Sequence, residues 1–431
     1  MRVLLVNKFH YRKGGAETYY LTVGSELERM GHEVAYFSMK HPSNLPCKWD
    51  KYFVTQREYN NVRNPFLAVR DGLALIYSPE AKRNFQSLCE EFRPDVVHLN
   101  NVHRQITLSI LDAPYLADHH VPVFYTAHDY VTICPGYLML DGEGHVCDAC
   151  LEDGRYRHCV ERRCVKKSRA KSALAAAEAS FNRLRNTNEL IAKVIAPSRF
   201  MRAKLIEGGW PEDKVLVLQN FADNAILARA SESGDDVTDR ERPYLLFFGR
   251  LSAEKGVDTL LRAFDTAAPS LPNEMRLVVV GDGPDADRFK KLASTLTSAC
   301  RIEFAGYQVG SELQQYVERA AFAVSSSQCR ENMPYSAVEA FAAGTPVIGT
   351  RIGGIPELVS EGVTGFVCEP GDTDSMAGAI VRAVGLFFDT ALYASLQANC
   401  RSYVRENCSS EKFMSQLVAS YEEATNGQWS Q

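Results

Sequence analysis

Short apolar runs alternate with longer segments of helical periodicity along most of the chain. In the first half, the apolar runs lie at residues 3–6, 34–37, 94–99, 122–126, 194–198 and 214–218. Runs of this length between loop residues are typical of strands buried in a parallel sheet. After the first run, apolar residues recur at helical spacing from Tyr20 to Met30, and Gly31 follows as a helix-ending residue. The pattern predicts a domain of alternating strands and helices.

The same alternation starts again near residue 244 and predicts a second sheet. Its apolar runs lie at residues 244–248, 277–280, 302–304, 321–324 and 345–348. Between the two halves, residues 222–242 lose apolar periodicity and include Ser231-Glu-Ser-Gly-Asp-Asp236, which is typical of a linker. We predict an α/β protein with two doubly wound domains, residues 1–220 and 221–403, and a helical segment at 404–431.

Composition and charge exclude several classes of protein. With 45% hydrophobic and 23% charged residues among 431, a globular protein with more than one core is expected. The net charge of −5 gives no indication of nucleic-acid binding. Only four apolar residues follow Met1-Arg2, too few for a signal peptide. No apolar run approaches the ~20 residues of a membrane span. We expect a cytoplasmic protein, or one attached peripherally to the inner face of the cell membrane.

Candidate ligand-binding residues follow two of the predicted strands in the first half. Gly14 and Gly15 lie in the loop before a predicted helix, where backbone amides can face an anionic ligand. The alternative is a simple tight turn, because the third glycine of the dinucleotide fingerprint is absent. His128 follows the fourth strand, at the sheet edge where ligands bind in this architecture. A structural role for His128 is the alternative.

In the second half, Arg250 and Lys255 lie in one predicted strand-to-helix loop. Arginine can bind two phosphate oxygens at once, and lysine adds a point charge, so the two cations suit a diphosphate. Neutralising charge on a leaving nucleotide would also lower the barrier to its departure. The alternative is two solvated surface charges.

Residues 328–365 carry two carboxylates in a predicted loop and helix after a buried strand. Glu331 is expected in the loop and Glu339 a turn or two into the helix. Between them, Asn332 is predicted to cap the helix and Pro334, after Met333, to occupy its first turn. Two carboxyls acting across one glycosidic bond lie roughly 5 Å apart in retaining hydrolases. Because Glu331 is predicted in a loop and Glu339 in the middle of a helix, we instead expect them to contact opposite ends of one extended ligand.

Five of the 12 cysteines crowd into the segment 134–171. In a cytoplasmic protein, such crowding favours a metal over disulfides. Cys147 and Cys150 form a Cys-x-x-Cys pair, and Cys159 with Cys164 can complete a structural zinc site. Cys134 is an alternative ligand, and His145 and His158 are further candidates. The simpler alternative is that these cysteines are free thiols in a loop and bind no metal.

The same segment is basic although the whole chain is acidic. Its basic residues are Arg155, Arg157, Arg162, Arg163, Lys166, Lys167, Arg169 and Lys171. A solvated face is the usual explanation of such a run. We also predict that Arg155–Lys171 contacts an anionic membrane surface or a diphosphate-linked acceptor.

Taken together, the motifs resemble glycosyltransferase family 4, and the resemblance covers nearly the whole chain. The motifs that carry it are Gly14-Gly15, His128, Gly249-Arg250 with Lys255-Gly256, Gly281-Asp-Gly, and Glu331-Asn-Met-Pro with Glu339-Ala. One position departs from the usual family pattern, because Pro334 stands where glycine is common. The resemblance implies the GT-B fold, in which two Rossmann-like domains face each other across a cleft. It also implies that the C-terminal helix returns to the first domain.

The resemblance implies a role for each motif residue. Glu331 is expected to contact hydroxyls of the donor sugar, with the amides of Asn332 and Met333 near the sugar and phosphate. Glu339 is expected to bind the ribose. The remaining expected contacts are Arg250 and Lys255 on the diphosphate, the Gly15 amide facing it, and His128 near the transferred sugar.

The implied activity is retaining transfer of a sugar from a UDP- or GDP-sugar to a saccharide acceptor, expected to be lipid-linked. No catalytic metal is implied, because Arg250 and Lys255 face the phosphates. Two alternatives stay open: a GT-B sugar-nucleotide epimerase, and a non-catalytic scaffold that binds sugar nucleotides. Product analysis with donor alone separates the epimerase from the transferase.

Overall fold

The structure is a computed structural model that describes residues 1–57, 72–222, 238–239 and 241–427. The chain forms two compact units, of which the first comprises Met1–Leu218 and Met414–Gln431 and the second comprises Gln219–Phe413. Most of the predicted linker, at residues 223–237 and 240, lies outside the described residues.

The first unit contains a fully parallel sheet of six strands. The strands are β1 (Arg2–Val6), β2 (Glu33–Phe37), β3 (Val96–Leu99), β4 (Val123–Thr126), β5 (Lys193–Ala196) and β6 (Val215–Val217). Their order is β2-β1-β3-β4-β5-β6, so the direction of winding reverses between β1 and β3. Every residue of β3 and β4 is buried, as expected for central strands covered on both faces. The loops after β1 and β3 therefore meet at the position where ligands bind in doubly wound sheets.

Helices connect these strands, and several begin at the residue types that cap helices. They are α1 (Gly15–Arg29), α2 (Pro79–Phe92), α3 (Pro114–Asp118), α4 (Ala149–Glu152), α5 (Arg157–Glu161), α6 (Arg169–Leu184) and α7 (Arg199–Glu207). The hydroxyls of Ser78, Ser168 and Ser198 each accept a hydrogen bond from a backbone amide in the first turn of α2, α6 and α7. Short 3₁₀ helices occur at Asp50–Tyr52, Leu108–Asp112 and Glu212–Lys214.

The second unit contains another parallel six-stranded sheet. The strands are β7 (Tyr244–Phe248), β8 (Arg276–Val280), β9 (Ile302–Gly306), β10 (Phe322–Ser325), β11 (Val347–Thr350) and β12 (Gly365–Cys368). The order β12-β11-β10-β7-β8-β9 places the reversal between β7 and β10. Sequence periodicity missed β12, a four-residue edge strand that begins with glycine. A Cβ at Gly365 would lie 1.8 Å from the carbonyl oxygen of Val347, so this glycine permits a close backbone approach.

The helices of the second unit cover both faces of its sheet. They are α8 (Val257–Ala267), α9 (Ala286–Ala293), α10 (Gly310–Arg319), α11 (Tyr335–Ala343), α12 (Ile355–Leu358), α13 (Thr373–Phe387) and α14 (Thr390–Asn407). Short 3₁₀ helices lie at Ala253–Lys255, Ala268–Ser270 and Ala299–Arg301. No single helix in the described ranges is long and apolar enough to cross a membrane, although α13 with Thr390–Asn426 passes that test as a bent pair.

The final helix begins later than the sequence pattern predicted. Residue 404 lies inside α14, and the last helix, α15, runs from Ser410 to Asn426. From Met414 onward the chain belongs to the first unit. There the hydroxyl of Tyr421 is fully buried and lies 2.5 Å from Nδ1 of His98 on β3.

Candidate active-site residues

An ion pair joins two loops at the switch point of the second sheet. Nζ of Lys255 lies 2.5 Å from Oε1 of Glu331, although 76 positions separate the residues in sequence. Lys255 ends the turn after β7, and Glu331 lies in the loop after β10, which is the neighbouring strand. The hydroxyl of Ser327 donates a second hydrogen bond to Oε1 of Glu331, at 2.6 Å. The fold thus unites two of the residues predicted from sequence.

The pair is charged because each member compensates for the burial of the other. Burial acts to raise the pKa of Glu331, but the charge of Lys255 and hydrogen bonds from Lys255 and Ser327 outweigh it, so the net pKa is lowered. Burial acts to lower the pKa of Lys255, and the charge of Glu331 outweighs it, so this pKa is raised. A carboxylate and an ammonium group are therefore held side by side at neutral pH.

Close backbone packing fixes the loop that carries Lys255. Gly256 has φ of +66°, and a Cβ there would lie 2.1 Å from the carbonyl oxygen of Ser326. The Ser326 hydroxyl donates to the carbonyl oxygen of Lys255 at 2.8 Å, and the amide of Gln328 donates to that of Glu254 at 2.8 Å. The loops after β7 and β10 are thus held together by direct backbone contacts beneath the ion pair.

A glycine turn in the loop after β11 holds the backbone of Glu331. The amide of Gly354 donates to the carbonyl oxygen of Glu331 at 2.7 Å. Gly353 has φ of +62°, and a Cβ at this position would lie 2.2 Å from the same oxygen. A paired glycine after β11 was the available sequence signal, but its contact with Glu331 depends on the tertiary structure.

The residues between the two glutamates differ in part from the prediction. The helix α11 begins at Tyr335 with Pro334 as its N-cap residue, so Asn332 does not cap it and Pro334 lies outside its first turn. A proline without an amide hydrogen suits the start of a helix, which explains the shift. Met333 is buried, and its carbonyl oxygen accepts from Asn220 at 2.8 Å. Glu339 is half-buried within α11, as expected.

Arg250 lies at the same edge of the second sheet but does not join the ion pair. It follows β7 directly, and its side chain is exposed. Among the described residues its guanidinium has no ion-pair partner. An exposed guanidinium in the same loop as the half-buried Lys255 offers two cations to an anion with two or more oxygens.

In the first unit, His128 and Tyr19 lie at the edge of the first sheet. Nε2 of His128 lies 2.9 Å from Oδ1 of Asn100, the residue after β3. Since that amide oxygen only accepts, Nε2 carries the proton. The ring of Tyr19 packs edge-on against the His128 ring, with centroids 4.9 Å apart. Tyr19 is in α1, which begins at Gly15, so the glycine loop and His128 share this edge.

His128 is a neutral imidazole at physiological pH. Burial lowers its pKa to about 3, and the positive charge of Lys8 adds to the effect. Lys8 follows β1 and was not among the residues singled out from sequence. A neutral ring with a fixed Nε2 proton orients hydrogen bonds but does not act as a general acid near neutrality.

The glycine loop leaves backbone amides accessible at the start of α1. Gly14 and Gly15 are both exposed. Gly14 has an extended backbone, and a Cβ there would only reach ordinary contact with Glu17 at 3.6 Å. Backbone strain therefore does not require this glycine. Exposed amides at the N-terminus of a 15-residue helix are suited to an anionic group.

We expect the first unit to lose stability as the pH falls below about 6.5. Burial lowers the pKa of His10 to about 4 and the pKa values of His98, His103 and His128 to about 3. Unfolded histidines bind protons from pH 6.5 downward while the folded ones stay neutral, so acid favours unfolding. Urea unfolding followed by tryptophan fluorescence at pH 7, 6 and 5 measures this loss, because Trp49 and Trp210 are buried in the first unit. Equal unfolding free energies at pH 7 and 5 would contradict the prediction.

The five clustered thiols lie near one another in the first unit. A hydrogen bond between the thiols of Cys159 and Cys164 raises the pKa of Cys159 and lowers that of Cys164. Burial, with a smaller effect of the nearby Cys134, raises the pKa of Cys150 to about 12. The Arg162 guanidinium donates a hydrogen bond to Sγ of Cys147 at 3.2 Å. In the described part of the chain, no three His, Cys, Asp or Glu side chains are arranged to hold a metal.

The structural zinc therefore stays a prediction from sequence. The zinc content of the purified protein tests it, with one zinc per chain expected and a zinc-free protein contradicting it. His158, a further candidate ligand, instead pairs with Asp153 at 2.9 Å.

The two parallel sheets, each with polar residues at its switch point, define a GT-B glycosyltransferase fold. A family model described as Glycosyltransferase Family 4 matches residues 13–225, and one described as Glycosyl transferases group 1 matches residues 229–386. The chain belongs to this glycosyltransferase family.

Similar proteins include enzymes named for glycan and glycolipid synthesis. The chain is 33% identical over 213 residues to lipopolysaccharide 1,2-N-acetylglucosaminetransferase of Salmonella typhimurium, covering 45% of this chain and 53% of that one. It is 28% identical over 249 residues to a GDP-mannose-dependent phosphatidylinositol monomannoside mannosyltransferase of Mycolicibacterium smegmatis, covering 55% and 63%. The chain spans about half the length of the first curated relatives it matches.

The fold is also that of solved glycosyltransferases. Anabaena HepE in complex with UDP-glucose matches with a TM-score of 0.64 and 18% identity, covering 98% of this chain and all of HepE. At this identity the likeness establishes the fold alone.

Proposed function

We propose that this protein transfers a sugar from a UDP- or GDP-sugar to a saccharide acceptor. The observation that carries the proposal is the Lys255–Glu331 ion pair at the switch point of the second sheet, with the exposed Arg250 in the same loop as Lys255. Cations suit the diphosphate of a donor, and a carboxylate suits sugar hydroxyls. The complexes of HepE with UDP-glucose and the GDP-mannose dependence in the name of the mycobacterial relative support a nucleotide sugar of either kind.

We propose that the transfer retains the anomeric configuration. The bond between the sugar C1 and the phosphate oxygen breaks while a bond from C1 to the acceptor oxygen forms on the same face. The leaving diphosphate takes the proton of the acceptor hydroxyl, so no separate base is needed. Lys255 and Arg250 stabilise the negative charge that develops on the diphosphate, and Glu331 orients the sugar. His128, neutral and fixed by Asn100, orients a hydrogen bond rather than moving a proton.

A panel of UDP- and GDP-sugars tests the donor assignment. A bound donor is expected to raise the melting temperature by mass action, and the same donor is expected to yield a glycoside product with a saccharide acceptor. The anomeric configuration of that product, read by NMR, tests retention. Conversion of the donor to an epimer without acceptor, or binding without transfer or hydrolysis, would overturn the proposal.

We further propose that the acceptor is lipid-linked and that the segment Arg155–Lys171 contacts an anionic membrane surface. All eight basic residues of this segment are exposed, so the segment presents a positively charged surface to solvent. Its acidic neighbours are few, and two of them, Asp153 and Glu161, lie within ion-pair distance of His158. Peripheral attachment of this kind suits an enzyme that acts on a lipid-linked substrate.

Reversing two charges in this segment is expected to weaken vesicle binding at least tenfold. Each basic residue near an anionic surface contributes about 1 kcal/mol, so Lys166→Glu with Lys167→Glu removes a large part of the attraction. Co-sedimentation with phosphatidylglycerol vesicles at low salt measures the effect. The matched control is Lys290→Glu with Lys291→Glu, an equally exposed lysine pair on α9. Equal binding by the two variants would contradict the membrane assignment.

A further inference from the structure

A chain of buried hydrogen bonds joins the last helix, α15, to the centre of the first sheet. The hydroxyl of Tyr421 on α15 lies 2.5 Å from Nδ1 of His98 on β3. On the other side of the ring, Nε2 of His98 lies 2.7 Å from the hydroxyl of Thr126, the last residue of β4. That hydroxyl in turn lies 3.0 Å from the hydroxyl of Tyr19 on α1. Side chains from four different elements are thereby connected in series.

The whole chain of hydrogen bonds is closed to solvent. Tyr421, His98 and Thr126 are 0% exposed, and Tyr19 is 1% exposed. Breaking a hydrogen bond at such a place leaves a buried polar atom that water cannot reach, which is more costly than breaking one at the surface. The four side chains therefore hold one another in a single arrangement.

The imidazole of His98 transmits this constraint between its two neighbours. Burial lowers the pKa of His98 to about 3, with a smaller effect of the nearby His128, so the His98 ring is neutral. A neutral imidazole has one donor nitrogen and one acceptor nitrogen, so Tyr421 and Thr126 take opposite roles in their bonds to it. If the Tyr421 hydroxyl donates, Nε2 donates to Thr126, and if it accepts, Nε2 accepts. The orientation of the Tyr421 hydroxyl and the tautomer of His98 are therefore linked.

The far end of the chain contacts His128, the candidate active-site histidine of the first unit. The Tyr19 ring packs edge-on against the His128 ring, with centroids 4.9 Å apart and planes at 75°. Thr126, which bonds the Tyr19 hydroxyl, precedes His128 by only two positions. The Nε2 proton of His128 is directed at Oδ1 of Asn100 at 2.9 Å. The Tyr19 ring and the Asn100 amide thus act together on the orientation of this imidazole.

We propose that Tyr421 is a positioning residue for His128. Its hydroxyl fixes the Tyr19 ring through the hydrogen-bond chain, and this ring orients the imidazole of His128. The assignment rests on the proposed transferase function, in which His128 orients a hydrogen bond. Because Tyr421 is fully buried, it acts on the reaction only through this chain. A residue 323 positions after His98 in sequence, on the helix that folds back onto the first unit, thereby contributes to the candidate active-site edge.

Replacing Tyr421 with phenylalanine tests the positioning role without any substrate. The variant keeps the ring that packs against Phe124 but removes the hydroxyl that bonds His98. In protein with isotope-labelled histidine, NMR spectra of the imidazole nitrogens report the tautomer and surroundings of each ring, and the His128→Ala variant identifies the His128 signal. We expect a single tautomer of His128 with Nε2 protonated in the wild type and a shifted or broadened signal in Tyr421→Phe. An unchanged His128 signal would overturn the proposal.

Steady-state kinetics with a nucleotide sugar and an acceptor give a second readout. Tyr421→Phe is expected to lower the turnover number about tenfold, less than the full cost of misplacing a group by ~1 Å. In the His128→Ala background the same substitution is expected to have no further effect, because Tyr421 acts through His128. Equal losses in both backgrounds would indicate a general loss of packing and would overturn the proposal. Absence of all transfer by the wild type would instead count against the proposed function, and the NMR comparison would still decide the positioning role.

Tyr393→Phe is the matched control. The Tyr393 hydroxyl, on α14 in the second unit, is also fully buried and donates to the carbonyl oxygen of Ala321 at 2.7 Å. Its removal loses a buried hydrogen bond outside the chain, so a similar loss of stability is expected with an unchanged His128 signal and turnover number. Urea unfolding confirms that both variants are folded. Equal effects of the two substitutions on His128 would contradict the positioning role of Tyr421.

Discussion

Replacing Glu331 with glutamine is expected to lower the turnover number by about 10²–10³-fold, the range for loss of one preorganised electrostatic contact in an active site. Glutamine keeps an oxygen able to accept from Ser327 but removes the negative charge that faces Lys255. Loss of the charged hydrogen bond is expected to destabilise the second unit by about 1–3 kcal/mol. The enzyme is thus expected to stay folded while its activity falls. Steady-state kinetics together with urea unfolding separate the two effects.

The ion pair between Arg351 and Glu369 supplies the matched control. It lies in the same unit at 3.0 Å, but both side chains are more than half exposed. Glu369→Gln is therefore expected to leave turnover unchanged and to alter stability little. If Glu331→Gln retained wild-type turnover, its role in orienting the donor sugar would be wrong. If both variants lost activity equally, the effect would not depend on this site.

Replacing Gly353 with alanine is expected to lower activity by displacing the backbone of Glu331. The new Cβ would lie 2.2 Å from the carbonyl oxygen of Glu331 and 2.6 Å from its nitrogen, so the loop must shift. A displacement of ~1 Å at a catalytic group can cost on the order of 10²-fold in rate. The positive φ of +62° adds backbone strain of about 1–3 kcal/mol. Turnover and unfolding free energy are the quantities to measure.

A substitution at Gly362 separates the effect of displacing the Glu331 backbone from the effect of backbone strain. Its φ is +70°, but a Cβ there would meet no atom within 4 Å. Gly362→Ala is therefore expected to show the strain cost without the loss of turnover. Equal turnover in the two alanine variants would mean that contact with Gly353 does not position Glu331.

The order of strands and helices could largely be predicted from the sequence. Apolar runs and helical periodicity are local properties, so 11 of the 12 strands in the described part of the chain could be located, together with the residues at their carboxyl ends. This is why Lys255, Glu331 and His128 were identified as candidates. The edge strand β12 and the start of α11 were missed because a four-residue strand that begins with glycine has little periodicity, and because Asn332 and Pro334 both resemble helix starts.

Contacts between residues distant in sequence could be identified only from the tertiary structure. The pairing of Lys255 with Glu331, the support of Glu331 by Gly353 and Gly354, and the hydrogen bond of His98 with Tyr421 are contacts of this kind. The protonation states depend on the same packing, since burial keeps His128 neutral and raises the pKa of Glu178 to about 7. The sequence by itself determined which chemical groups stand at the sheet edges, because strand ends follow from local pattern. Their partners and charges were decided by the fold, because distance and desolvation are properties of packed atoms.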